Sequence, residues 1–536
     1  MKVGVFLLKT NGHSPVDLII NNRRRIEKVF AVVLILSLIC IPMVGVNYDL
    51  TEYLPDDSPS AQALDIMEKE FTYPGMGRVL LEDVTLYEAK NIKDRIADVD
   101  GVDMVMWCDT TTNIYGSSQF IDYEDIEDYY KDGDAYMDII FLEKDSSDRT
   151  HRAVREIEQI VGDRGCVAGS AISDTNLGPT INSEIARVMV LAVIIIFLIL
   201  TLTTTSWFEP VLFLSVLGIA IVINMGTNII FGEISFLSNA VGAVLQLACS
   251  MDYSIFLLHA FTEEKANGAA PEQAMANALR SAFSSIGASG ATTIVGFLAL
   301  ALMRFGIGPD MGLVLAKGIA LSLVTVLLLM PALILRFQDV VDKTRHRPFI
   351  PGQWRKFGEF AYKIRKPVLA VVLVIILPCY VAQGMADFTY GNEAVGNSPG
   401  TPVYEAEQKM NEKFGQSNMM LALVPLDGNI TEKAMSEEIA DLPYVRYALG
   451  LASALPEGVP EEFLPESVTG MLHSENWARV IINVRSAGES DAAFAYADEI
   501  RAIIDKYYPG EQTYLVGVTP STQDIKAIIV PDNQLV

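Results

Sequence analysis

Apolar residues run almost unbroken through seven segments, near residues 29–46, 185–203, 209–230, 236–259, 285–303, 311–335 and 367–385. Crossing a bilayer takes about 20 helical residues, so each run is long enough to be a membrane span. None is followed by a small-residue cleavage site, and the first therefore reads as a retained anchor. Basic residues orient the set. Arg23, Arg24 and Arg25 precede the first run, and Lys343, Arg345, Arg347, Arg355, Lys356, Lys363, Arg365 and Lys366 lie between the sixth and seventh. Six crossings separate the two clusters, so both fall on one side, which the positive-inside rule makes the cytoplasm. The expected plan is a cytoplasmic segment 1–28, a span at 29–46 and an extracytoplasmic segment 47–184. A five-span bundle 185–336, a cytoplasmic linker 337–366, a seventh span 367–385 and a second extracytoplasmic segment 386–536 follow.

Outside the apolar runs the periodicity changes. RVLLEDV (78–84), GVDMVMW (101–107), YMDIIFL (136–142) and CVAG (166–169) read as strands. TLYEAKNIKDRIADV (85–99) and DRTHRAVREIEQIV (148–161) have helical spacing, which gives the order β-α-β-β-α-β. NMMLALVPL, EKAMSEEIADL, VRYALGL, WARVIINV, AFAYADEIRAIIDKYY and TYLVG repeat that order after the seventh span. The chain is one unit begun twice. Met67, Phe71 and Val102 map onto Met410, Phe414 and Val445 at an offset of 343, and CVAGSAISDT maps onto YLVGVTPSTQD about 348 residues on. Five spans follow the first copy. Their counterparts would follow the second, and the expectation is a chain that stops short of its last five helices.

Composition sharpens this picture. Hydrophobic residues make up 51% of 536, too many for one soluble domain, and the net charge is −26. Residues 47–184 hold 31 Asp/Glu against 11 Lys/Arg, so acidity concentrates there and nucleic acid is excluded as a partner. The acidic run 122–134 reads as a solvated helix or loop. Cys40, Cys249 and Cys379 lie in apolar runs, while Cys108 and Cys166 could pair. There is no GxxxxGK[ST] phosphate loop and no metal-spaced His/Cys cluster, so neither ATP nor a metal cofactor is expected.

The candidate chemistry sits in the fourth run, where LQLACSMDYSIFLLHAF (245–261) carries Asp252 with Tyr253 beside it. A carboxylate in hydrocarbon costs about 2.5–3.5 kcal/mol on insertion scales. It either reaches toward the interface beside His259, Glu263 and Glu264, or serves as a buried ionisable switch that titrates as protons pass. Asn224, Thr227 and Asn228 on the third span are its expected polar company. Ser289, Thr292 and Thr293 on the fifth either bond a partner helix or satisfy their own backbone carbonyls. Gln246, Ser250 and Ser254 share its helix, but the two serines at i±2 point away. PEQAMANALRSAF (271–283) reads either as a helix on the cytoplasmic membrane surface with Arg280 near phosphates, or as a plain connector. Lys317 in the sixth span reaches outward along its aliphatic stem, or serves substrate or relay.

SMDYSIFLLHAFTEE, then PEQAMANALRSAF, then ATTIVGFLAL, together with the repeat of one span, one α/β unit and five spans, resembles the MMPL family of the RND transporter superfamily. The likeness covers essentially the whole chain. It implies a polytopic α-helical membrane protein with ferredoxin-like extracytoplasmic porter domains and an RND-type internal repeat. It also implies export of lipidic or amphiphilic molecules driven by protons. By the same resemblance Asp252 and Tyr253 are proton-relay residues, supported by Asn224, Ser289, Thr292 and Thr293. Ser250 stands where the family usually has glycine. The relay's usual partner, an Asp-Tyr pair in a tenth span, is absent from this chain, so its missing helices would come in cis or from a second copy. The alternatives are a non-pumping membrane receptor sharing the sterol-sensing-like five-span module, and an accessory factor in protein secretion. An intramembrane acid favours the exporter over the receptor.

Overall fold

The computed structural model describes residues 15–71, 75–111, 126–346, 354–383, 400–427, 429–454, 469–470 and 472–535. Seven helices are long and apolar enough to cross a membrane: Arg23–Met43, Ser170–Thr203, Glu209–Phe231, Phe236–Ala266, Pro271–Leu302, Ile307–Arg336 and Gly358–Ala382. They coincide with the seven apolar runs, but several extend well beyond them. The second begins at Ser170, not near 185, because the polar turns before Ile185 continue the helix above the hydrocarbon. At 1.5 Å per residue its 34 residues reach about 51 Å, well past a core of about 30 Å.

The segment 271–283 is corrected in the same way. It is neither a separate surface helix nor a connector, but the first turns of the continuous helix Pro271–Ala299. Its apolar residues Ala274, Met275, Ala278, Leu279 and Ala282 are buried in the bundle core, together with Val16 and Ile20 of the short helix Pro15–Asn21. Protein, not lipid headgroups, covers that face.

Two α/β sheets flank the bundle in sequence. The first has β1 (Met76–Leu81), β2 (Val102–Met106), β3 (Asp134–Phe141) and β4 (Gly165–Ala168) in the order β2-β3-β1-β4, with every neighbour antiparallel. The second has β5 (Asn418–Pro425), β6 (Val445–Leu449), β7 (Trp477–Val484) and β8 (Tyr514–Gly517) in the same relative order, β6-β7-β5-β8. Register repeats as well. Arg78 faces Asp138 across β1 and β3, and Leu421 faces Ile481 across β5 and β7, both 343 residues later.

Glycine closes each copy at one matching point. Gly169 (φ +114°) and Gly517 (φ +139°) turn the fourth strand into a long helix in a conformation L side chains avoid. A Cβ at Gly169 would lie 2.9 Å from the Gly77 Cα, and one at Gly517 would lie 2.6 Å from the Met419 oxygen.

The two units exchange helices. Pro59–Glu70 is capped by Ser58, and Pro402–Phe414 by Thr401, each with proline in the first turn. Ala63, Met67 and Phe71 pack with Leu421, Leu423 and Val516 of the second sheet. Val403, Ala406, Met410 and Phe414 pack into the core of the first. Each leading helix therefore covers the other unit's sheet. Cys108 and Cys166 are free thiols, and no disulfide joins them.

Candidate functional site

Asp252 lies on the fourth helix in a stripe of exposed residues, Ala248, Asp252, Phe256, His259 and Glu263, spaced three or four apart. It makes no hydrogen bond or ion pair among the described residues. One residue further round the helix, Tyr253 is buried in the bundle core. Its hydroxyl donates to Thr293 Oγ1 at 3.5 Å, the outer limit of a hydrogen bond, and Thr293 in turn donates to the Ser289 carbonyl at 3.1 Å. Thr292 donates to the Ala288 carbonyl at 2.9 Å. Ser289 and Thr292 are exposed on the fifth helix. The two threonines thus satisfy their own backbone, and only Thr293 also meets Tyr253.

Asn224 is not beside Asp252. It is buried at the junction of the third, fourth and sixth helices, where its Nδ2 donates to Gln246 Oε1 at 3.1 Å. Gln246 Nε2 donates to the Gly318 carbonyl at 3.0 Å and to Ser322 Oγ at 2.9 Å. This link was missed in the sequence because Gly318 carries no side chain to announce it. Its bareness is what admits the amide, since a Cβ there would lie 2.7 Å from Asn224 Nδ2. Ser250 and Ser254 follow Gln246 by one and two helical turns, on the buried face opposite Asp252, and neither Oγ has a partner among the described residues.

Lys317 does not bond Asp252; its stem carries the charge to the end of the third span. Its ammonium donates to the Asn224 carbonyl at 3.1 Å, Thr227 Oγ1 at 3.1 Å and Asn228 Oδ1 at 2.5 Å, and stands 5.2 Å from the Phe231 ring centre. These groups end the third span, so the charge caps its terminal carbonyls and meets the negative end of its dipole. Lys317→Met should lower stability by about 1–3 kcal/mol, since it strands buried acceptors. The midpoint of heat-induced aggregation in detergent reads this, and an unchanged midpoint would refute the capping role. Arg280 pairs with Asp17 at 3.1 Å, tying the fifth helix to the N-terminal one.

Within this bundle, then, the structure brings Tyr253, Thr293 and Ser289 together, turns Asp252 outward, and puts Asn224 in a separate polar junction.

Known proteins resemble this sequence. The MMPL family model matches residues 52–368. A Streptomyces coelicolor membrane protein is 23% identical over 435 residues, covering 76% of this chain and 58% of that protein. The Mycobacterium tuberculosis sulfolipid-1 exporter MmpL8 is 25% identical over 284 residues, 48% of this chain and 25% of that protein. A Methanocaldococcus jannaschii membrane protein is 37% identical over 106 residues, 20% of this chain and 26% of its own. The chain thus spans less than two thirds of the length of each. With seven candidate membrane helices and a family match over more than half its length, this chain belongs to the MMPL family of RND-type transporters.

Proposed function

We propose that the chain works in an exporter of lipidic or amphiphilic molecules driven by the proton-motive force, a secondary transporter and not an enzyme. Asp252 carries this reading. It is an ionisable group at the depth of a membrane helix, on an exposed stripe, and such groups are expensive unless they titrate or pair. Further helices, in cis or from a second copy, would cover the stripe and supply the partner carboxylate, while Tyr253 positions the pair from inside. The relative named as a sulfolipid-1 exporter supports a lipidic cargo. Segments 47–184 and 386–536 are read as ferredoxin-like porter domains, because each sheet holds its first strand between its third and fourth. Both are placed outside the cytoplasm on the strength of the basic clusters at 23–25 and 343–366.

Two measurements test the reading. Proteoliposomes holding the exporter should expel a fluorescent amphiphile under an imposed pH gradient, and efflux that survives a protonophore would refute proton coupling. Single cysteines at Tyr87 and Asn429, both exposed, should react with an impermeant maleimide on intact cells. Reaction of either only after lysis would overturn the topology. Ser117, another choice from the sequence, lies outside the described residues.

A further inference from the structure

A cavity of about 180 Å³ lies where the two α/β units meet the first turns of helices Ser170–Thr203 and Val518–Leu535. Five carboxylates line it, those of Asp49, Asp138, Asp145, Asp174 and Glu407, against one cation, Arg78. Arg78 is already paired with Glu407. Asp138 is held by the Tyr136 hydroxyl at 2.7 Å and by Tyr447 of the other unit at 3.4 Å. Asp145 accepts the Met76 amide at 3.0 Å, and His151 meets Asp174 at 2.9 Å.

The strand pairing itself does not need these charges. At the positions equivalent to Arg78 and Asp138 the second copy has Leu421 and Ile481, and Leu421 lines the same cavity. Ser147 and Ser490 cap equivalent helices, which puts Gly488 opposite Asp145. Gly169 and Gly517 turn equivalent corners, which puts Thr522 opposite Asp174. Burying charge is costly, and the equivalent strands of the second copy pair with apolar residues at these positions, so the strand register alone does not call for it.

Size and spacing select the ligand. Among the described residues no three His, Cys, Asp or Glu side chains gather closely enough to hold one metal ion. The volume exceeds the roughly 150 Å³ that admits benzene, and falls short of the roughly 300 Å³ at which drug-sized pockets begin. Leu177, Met419 and Ile525 add apolar side chains to the lining.

We propose that this cavity binds a small organic ammonium ion of about ten non-hydrogen atoms, its head toward Asp145, Asp174 and Asp49 and its body against Leu177, Met419 and Ile525. Burial pushes the Asp145 carboxyl up to about 7, and the neighbouring Asp174 and Asp49 charges add to the rise. Hydrogen bonds from Ser170 and the Met76 amide oppose it. Arg78 pairs with Glu407 in the lining, Lys144 pairs with Glu52 at 2.7 Å beyond it, and the His151 ring meets Asp174. An ammonium favours the ionised carboxyl, so binding releases a proton and tightens as pH rises through 7. The inference names a substrate class for the exporter and rests on the export reading only for the step from binding to transport.

Calorimetric titration of the full chain, in a neutral detergent without any gradient, tests it with phenethylammonium as probe. Saturable binding at pH 8 should weaken about tenfold at pH 6, as the ionised fraction of a group near 7 falls about tenfold. Neutral 2-phenylethanol and anionic 3-phenylpropionate should bind at least about tenfold more weakly than the ammonium. Asp145→Asn should remove the pH dependence. Ser173→Phe, on the cavity wall, should abolish binding at an unchanged melting midpoint. Equal binding of the three probes, or full binding by Ser173→Phe, overturns the proposal. Absent binding alongside intact gradient-driven export strikes this inference alone, and the reverse strikes the export reading alone.

Discussion

Asp252→Asn is expected to reduce export to background while leaving synthesis and membrane insertion intact. The asparagine is nearly isosteric but fixed in charge, so it mimics one protonation state and halts any cycle that needs both. A proton moving through 100 mV yields about 2.3 kcal/mol, and only a group that gains and loses it can convert that energy. The outward direction of Asp252 makes the substitution mild for the fold: among the described residues its side chain holds no hydrogen bond that the variant would break. Tyr253→Phe should have a smaller and separate effect, because it removes only the 3.5 Å contact to Thr293. Efflux from proteoliposomes under an imposed pH gradient decides the matter. An Asn variant that exports at the wild-type rate, and still stops with a protonophore, would place the relay on another residue.

The second large effect concerns backbone. Gly169→Ala should lower stability by at least about 3 kcal/mol, adding roughly 1–3 kcal/mol of backbone strain to a collision with the neighbouring strand. The new Cβ would sit 2.9 Å from the Gly77 Cα and 3.0 Å from the Met76 oxygen, and neither can rotate aside. Gly517→Ala should behave alike. Gly162→Ala is the control: its backbone, at φ +52° and ψ −139°, is also one that L side chains avoid, but nothing lies within 4 Å of a Cβ there, and the cost should be the strain alone, roughly 1–3 kcal/mol. Because the corner at Gly169 runs directly into the second membrane helix, the first variant should also lose monodisperse protein in detergent. Equal melting midpoints for the Gly169 and Gly162 variants would refute the packing argument.

The spans were legible because an unbroken apolar run needs no partner to be recognised. Their ends were less so, since a helix can continue into water through polar residues, as Ser170–Thr203 does above Ile185. The apolar face of 271–283 was plain in its spacing, but spacing cannot say what covers a face, and Val16 and Ile20 lie more than 250 residues upstream. Asp252 stood out as a charge in an apolar run, whereas the company of Asn224 depended on Gly318, visible only once three helices are packed. The cavity acids were hidden for the opposite reason. YMDIIFL reads as a strand, but a strand pattern alone cannot say that both faces of its sheet are covered and that Asp138 is 1% exposed.

The exchange of leading helices sets an order of events on the ribosome. Sheet β1–β4 is complete once Ala168 has emerged, but Met410 and Phe414, which finish its core, arrive roughly 250 residues later, after six membrane helices. At about 5–20 residues per second that delay lasts some tens of seconds, during which the nascent first unit presents unfinished apolar surface. A stalled or shortened translation product ending before Pro402 would keep that surface permanently. Quality-control factors that recognise exposed apolar chain therefore have a long window on this protein, and synthesis rate becomes one determinant of its yield.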